Sequence, residues 1–162
     1  MIFENISAEN YTHVSTIYEE GLSTGIASFE TIVPSWEQWD ANHLEFGRVA
    51  LLVNDQYVGW AALSPTSKRL AYKGVAELSL YIGKSFKGNG FGDILMQKII
   101  EICDSNGIWT IHAGIFRENE ASRKLHLKHG FREIGYRERV AQRNGKWHDN
   151  FIYERRSKTI GI

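Results

Sequence analysis

The chain has 162 residues, 43% hydrophobic and 23% charged, which suits one globular domain over residues 1–162 and excludes a disordered segment or a fibre. Its 19 basic and 19 acidic residues cancel, so no overall field draws it to nucleic acid or to an anionic membrane. No apolar run approaches the roughly 20 residues that cross a bilayer. The start Met-Ile-Phe-Glu-Asn lacks the features of a secretory leader, and a cytoplasmic protein is expected. Cys103 stands alone, which excludes an intrachain disulfide and a cysteine metal cluster.

In chain order, residues 2–6 read as a short strand, and Ser7 is placed to cap a helix over residues 8–20. Residues 21–34 form a polar, glycine-containing loop that holds Phe29 and Pro34. Ser35 and Gln38 have capping-box spacing, which predicts a second helix through about Phe46. Two apolar runs, residues 49–53 and 57–63, are joined by Asn54-Asp55-Gln56 as a hairpin. Residues 74–82 predict a strand, 90–105 a long amphipathic helix and 108–115 another strand. Residues 119–129 predict a helix ended by Gly130, and residues 131–141 and 147–154 a last hairpin turning at Asn144-Gly145. Antiparallel strands followed by strand-helix-strand-helix imply an α/β (α+β) fold, a mixed central sheet with helices on both faces. Cys103 lies on the apolar stripe of the long helix with Phe91, Ile94, Leu95, Ile99 and Ile102, so it is expected to pack rather than react.

Chemistry concentrates in Gly88-Asn89-Gly90-Phe91-Gly92-Asp93, where three alternating glycines follow the strand Ala76-Glu77-Leu78-Ser79-Leu80-Tyr81-Ile82 and open the long helix. Glycines let the backbone turn tightly against a ligand, and the first helical turn offers unpaired NH groups and a positive dipole end to a phosphate. A P-loop is excluded because Gly92 is followed by Asp93 and Ile94 rather than by Lys and a hydroxyl. A dinucleotide fingerprint is excluded because position 93 is not glycine and no acid ends a second strand about 20 residues on. A loop that holds a pyrophosphate by main-chain donors, without an obligatory metal, remains.

Two further sets of residues carry chemistry. Asn119, Ser122 and His126 are spaced i, i+3, i+7 and share one helical stripe, so they can face one ligand. The plainer alternative makes Asn119 an N-cap and His126 a packing histidine. Glu77 alternates with Ser79 and Tyr81 against Leu78, Leu80 and Ile82. On a covered central strand such a carboxylate opens onto a cleft or has a partner, and partial burial would raise its pKa toward that of a useful base. It could equally line an exposed strand face. His126 and His129 come with no His-Glu-x-x-His pattern, so no metal site is expected.

These motifs resemble those of the GNAT-superfamily N-acetyltransferases, and more narrowly the phosphinothricin and methionine sulfoximine acetyltransferases, over nearly the whole chain. The family's cofactor loop, Gln/Arg-x-x-Gly-x-Gly/Ala, stands here as Lys87-Gly88-Asn89-Gly90-Phe91-Gly92, with Lys87 departing from the pattern. Asn119-Glu120-Ala121-Ser122-Arg123-Lys124-Leu125-His126 through Gly130-Phe131 is similar to the second signature. The resemblance implies a GNAT fold, acetyl-CoA as co-substrate, and direct acetyl transfer to the primary amine of a small molecule. It implies Glu77 and His126 as catalytic residues, and Leu80, Tyr81, Ile82, Lys87, Gly88, Asn89, Gly90, Phe91, Gly92, Asp93, Asn119 and Ser122 as coenzyme contacts. Phe29, Arg69, Leu70, Ala71 and Tyr72 fall where that group binds its amino acid, and Trp147, His148 and Asp149 are weaker candidates for the same cleft. Arg69 could instead be a solvated loop charge, and Phe29 a loop anchor. A homodimer is expected by family analogy. The alternatives are acetylation of a protein N-terminus, a lysine or another amine, and a non-catalytic acyl-CoA sensor.

Overall fold

The computed structural model describes residues 1–162. The chain runs β1 (Ile2–Asn5), α1 (Tyr11–Ser23), α2 (Trp36–Ala41), β2 (Arg48–Val53), β3 (Gln56–Pro65), β4 (Val75–Ile82), α3 (Phe91–Ser105), β5 (Thr110–Phe116), α4 (Glu120–Lys128), β6 (Arg132–Arg143) and β7 (Lys146–Arg156). One-turn 3-10 helices at Leu70–Tyr72 and Lys84–Phe86 bracket β4. The strands form one sheet in the order β1-β2-β3-β4-β5-β7-β6. Every neighbouring pair is antiparallel except β4 with β5. This is the mixed α/β sheet expected.

Strand alternation feeds two separate cores. Leu95, Met96, Ile99 and Cys103 of α3 pack on Leu63, Ala76, Leu78, Ile111 and Ala113. Val14 and Ile17 of α1 and Trp39 of α2 pack on Ala50, Trp60 and Ala62 from the other face, with Tyr18 and Tyr81 at the margin. Cys103 is a core residue, and burial pushes its thiol pKa up to about 12. The hairpin between β2 and β3 turns on Asn54 (φ 49°) and Asp55 (φ 60°), and the last hairpin on Asn144 (φ 49°) and Gly145 (φ 78°). Both are the left-handed pairs that match strand twist.

Helix ends differ from expectation where tertiary contacts decide them. Ser7 does not cap α1: its NH donates to Asn10 Oδ1 at 2.9 Å, and Asn10 holds the N-cap position. The helix runs on past Gly21, because an added Cβ there would lie 2.4 Å from the Tyr81 ring, so the glycine serves helix-to-sheet packing rather than termination. The Ser35 and Gln38 capping box forms, yet α2 stops at Ala41. Buried Arg48 turns back on the segment that follows, donating from Nε to Leu44 O at 2.6 Å and from Nη2 to His43 O at 2.9 Å, while Nη1 pairs with Asp40. Those carbonyls are thereby drawn away from helical partners.

Candidate active site

β4 and β5 pair at only three positions, Val75 with Thr110, Ala76 with Ile111 and Glu77 with His112. Past that point β4 stays bonded to β3 out to Ile82, and β5 to β7 out to Phe116. The two strands therefore part, and main-chain groups of residues 78–82 that point away from β3 have no strand partner. The wedge between them belongs to a cavity of about 750 Å³, within the usual range for a small-molecule site.

The glycine loop forms one wall. Gly88 and Gly90 have φ of 78° and 79°, a conformation that disfavours any side chain. A Cβ at either would meet nothing within 4 Å, so it is the conformation and not crowding that calls for glycine here. Gly90 is the N-cap of α3, and the NH groups of Phe91, Gly92 and Asp93 point out of the first turn without intrahelical partners. Lys87, Gly88, Gly90, Phe91, Gly92 and Asp93 all line the cavity. Asn89 does not; its Nδ2 braces the loop by donating to Phe86 O at 3.1 Å. Asp93 accepts from Lys128 and His129, each at 2.8 Å, and these partners hold its carboxyl below the usual carboxylate range.

α4 supplies a second wall. Asn119, Ser122 and His126 line the cavity, and Asn119 is also the helix cap, accepting from Ser122 N at 3.2 Å. His126 is 4% exposed. Its Nδ1 lies 2.7 Å from Ser122 O, so that nitrogen carries the proton and Nε2 keeps a lone pair. Desolvation lowers the His126 pKa, the bond to Ser122 only partly opposing it, and the ring is neutral at pH 7.

Of the other expected residues, Glu77, Leu80, Tyr81, Ile82 and Phe29 line the cavity wall. Glu77 is exposed, so the partial burial expected of it is absent; the strands part beside it and leave the carboxylate open to the cleft. Phe29 packs against Phe116 with the rings tilted 46° and their centroids 4.5 Å apart. Arg69, Leu70, Ala71 and Tyr72 lie outside the cavity on an exposed turn, with the guanidinium 5.4 Å from the Tyr72 ring centroid. Of the weaker candidates, His148 packs against Phe116 at 4.8 Å, Trp147 is exposed, and Asp149 bonds Tyr136 and Arg139 N.

Sequence reading missed Tyr18, Ser28, Glu30, Lys124, Lys128 and Asn150, which also line the cavity. The two lysines had a signal, being four apart on a helix already marked as ligand-facing. Nothing in the local pattern pointed to Asn150. No three His, Cys, Asp or Glu side chains gather as a metal site, and no helix is long and apolar enough to cross a membrane.

Residues 11–131 match the family described as the acetyltransferase (GNAT) family. The phosphinothricin N-acetyltransferase of Streptomyces coelicolor is 30% identical over 122 residues, covering 72% of this chain and 71% of that protein. The L-methionine sulfoximine/L-methionine sulfone acetyltransferase of Pseudomonas aeruginosa is 28% identical over 116 residues, covering 70% and 67%. The crystal structure of a GNAT superfamily phosphinothricin acetyltransferase from Sinorhizobium meliloti in complex with AcCoA has a TM-score of 0.86 at 24% identity, covering 99% of this chain and 90% of that one, so the fold is shared. The chain belongs to the acetyltransferase (GNAT) family and is an N-acetyltransferase whose donor is acetyl-CoA.

Proposed function

We propose that the protein acetylates the primary amine of a small amino-acid-like acceptor, of the phosphinothricin, methionine sulfoximine or methionine sulfone type, with Glu77 as general base. The observation that carries this reading is the parting of β4 and β5 directly after Glu77 and His112. It sets a carboxylate at the neck of a cleft that runs through the sheet. Glu77 shares its strand face with Tyr81, which joins the core beneath α1, whereas Ala76 and Leu78 face α3. Coenzyme held at the N-terminus of α3 and acceptor entering from the α1 side would thus meet at the wedge.

The left-handed turn at Gly88 and Gly90 on the cavity wall and the free NH groups of α3 suit a pyrophosphate, with Lys87, Lys124 and Lys128 adding positive charge nearby. Acetyl-CoA supplies the thioester carbonyl that the amine nitrogen attacks, CoA leaving as the thiol. Glu77 accepts the ammonium proton first, since only the free amine is nucleophilic. Unpaired main-chain NH groups of residues 78–82 are donors to the carbonyl oxygen as negative charge develops on it. His126, neutral and with its Nδ1 proton committed to Ser122, is assigned an accepting and orienting role through Nε2 rather than that of a proton donor. Phe29 is proposed to bound the acceptor pocket.

The test is thiol release from acetyl-CoA across a panel of amino acids, peptides and polyamines. Turnover with the amino acids and none with peptides is expected; the reverse, or tight CoA binding without turnover, overturns the reading. We also propose a cytoplasmic homodimer, supported by Ile134, Tyr136 and Trp147 standing exposed on the β6 and β7 hairpin. Light scattering at the mass of one chain would refute the dimer.

A further inference from the structure

One wall of the cavity is built from chain that does not hold itself. Thr24, Ile26, Ala27, Ser28, Phe29 and Glu30, between α1 and α2, all line it. Residues 26–30 belong to no helix or strand and make no hydrogen bond between main-chain groups. Local side-chain bonds, Ile26 N to Thr24 Oγ1 at 3.3 Å and Glu30 N to Ser28 Oγ at 3.0 Å, turn the backbone but do not fix it to the sheet. The path of such a wall is set by what reaches it from other elements.

Two polar side chains reach it from distant elements. Asn119 donates from Nδ2 to Ile26 O at 3.4 Å, but it also lines the cavity and caps α4, so its hold on the loop is tied to the coenzyme wall. Arg143, the last residue of β6, donates from Nη2 to Leu22 O at 2.6 Å, across 121 residues of sequence. Its Nη1 lies 3.5 Å from where a Cβ on Gly25 would stand, and Gly25, at φ 76°, is where the chain leaves α1 for the loop. Phe29, packed on Phe116, anchors the far end; Arg143 sets the near one. Arg143 itself does not line the cavity.

Charge and hydrogen bonding indicate what this contact does. The last turn of α1 has no basic residue of its own, and its free carbonyls are the negative end of the helix dipole. Arg143 supplies the cation there. Leu22 O already accepts from Gly25 N at 3.1 Å, so loss of the guanidinium leaves that carbonyl bonded. The Arg143 Nε, by contrast, is buried without a partner, a cost that offsets the gain from the bond. The contact therefore adds little to the stability of the fold; what it gives is a fixed place for the chain entering the wall.

Building on the reading above, in which the acceptor enters from the α1 side, we propose that Arg143 is a positioning residue for the acceptor. Without touching the acceptor, it sets the path of residues 24–28 and so the shape of the wall that meets it. The proposed coenzyme contacts lie on β4, the glycine loop and α4, away from Leu22 and Gly25. Loss of Arg143 should therefore weaken the acceptor's hold and spare that of the coenzyme.

The test compares wild type, Arg143→Met and Arg143→Lys, using acetyl-CoA with methionine sulfone or, should no amino acid turn over, with whichever amine does. Arg143→Met should raise KM for the acceptor about tenfold, the scale of one hydrogen bond to a charged group, with kcat and KM for acetyl-CoA within about twofold. Its Tm should stay within about 4 °C of wild type. Arg143→Lys keeps a cation at the end of α1 and should recover most of the acceptor KM. An unchanged acceptor KM in Arg143→Met, equal rises in both KM values, or a lysine variant no better than the methionine one overturns the inference. Hydrogen exchange reads the same contact with no acceptor present: amides of residues 22–29 should exchange about tenfold faster in Arg143→Met, while those of α3 and β4 keep their rates. Equal exchange over 22–29 in the two proteins also overturns it. Absence of turnover with every amino acid would refute the amino-acid reading alone, since exchange still decides whether Arg143 holds the wall.

Discussion

Replacing Gly90 by alanine separates backbone strain from coenzyme binding, because α3 supplies its own control. Gly90 opens the helix with φ 79°, and Gly107, just beyond its other end, has φ 75°. A Cβ at either position meets no protein atom within 4 Å. Each substitution therefore costs only the left-handed conformation of a residue with a Cβ, about 1–2 kcal/mol. For a chain of this size each kcal/mol lowers Tm by roughly 2–4 °C. Without ligand, Gly90→Ala and Gly107→Ala should melt at similar temperatures, both below wild type.

With coenzyme A present the two should diverge. Gly90 lines the cavity, whereas Gly107 is absent from that wall. A ligand at about 100 times its Kd stabilises the fold by roughly 2.7 kcal/mol. Gly107→Ala should keep that gain. Gly90→Ala should lose much of it, with calorimetric Kd raised about tenfold or more, near 1.4 kcal/mol. Equal CoA affinity in the two variants, within a factor of two, would mean that the backbone at Gly90 does not hold the coenzyme, and the reading of the loop as a pyrophosphate cradle would fail.

Glu77→Gln keeps the shape of the cleft and removes the proposed proton acceptor, so kcat should fall by about 10²–10⁴ with CoA affinity unchanged; full turnover across the pH range would remove Glu77 from the mechanism. Burial holds the His126 and His43 pKa values below the ordinary 6.5, so the unfolded chain binds more protons near pH 6. Stability present above pH 6.5 is then lost as pH falls through the depressed folded values, and Tm should drop between pH 7 and pH 5.5, less steeply in His126→Gln; an identical slope in the variant contradicts this. Arg48→Met preserves bulk but takes the guanidinium from the carbonyls of His43 and Leu44 and from the Asp40 carboxylate, and urea unfolding should show a loss of about 3 kcal/mol. A loss below about 1 kcal/mol would show that the segment after α2 finds other partners.

Periodicity and turn chemistry made the element order readable, because alternation along β2 to β4 and the stripe of α3 are set by which side chains meet the core. The exceptions were contacts between residues far apart in sequence. Gly21 looks like a helix stop until the Tyr81 ring is laid against it, and the segment after Ala41 keeps a helical pattern until buried Arg48 takes its carbonyls. The exposure of Glu77 was unreadable for a related reason. Strand alternation says which face a residue occupies, but only the loss of pairing after His112 says that the face opens there. Asn150 had no local mark at all, since a polar residue on a strand ordinarily means solvent.

The two sequence signatures, the glycine loop and the α4 stripe, are physically one device, and Asp93 shows why. A carboxylate in the first turn of α3 suits the helix dipole but would repel a pyrophosphate at the same place. Here it is bound to Lys128 and His129 at the end of α4, so its charge is offset and the local balance at the loop is left to Lys87 and Lys124. The same clasp brings the start of α3 against α4, where Leu125 lies 3.3 Å from the position a Gly92 Cβ would take. The third glycine thus permits helix-to-helix contact, while the first two permit the left-handed turn on the cavity wall that is proposed to meet the coenzyme. That division explains why the loop and α4 must occur together, and why either motif alone would have been a weak sign of function.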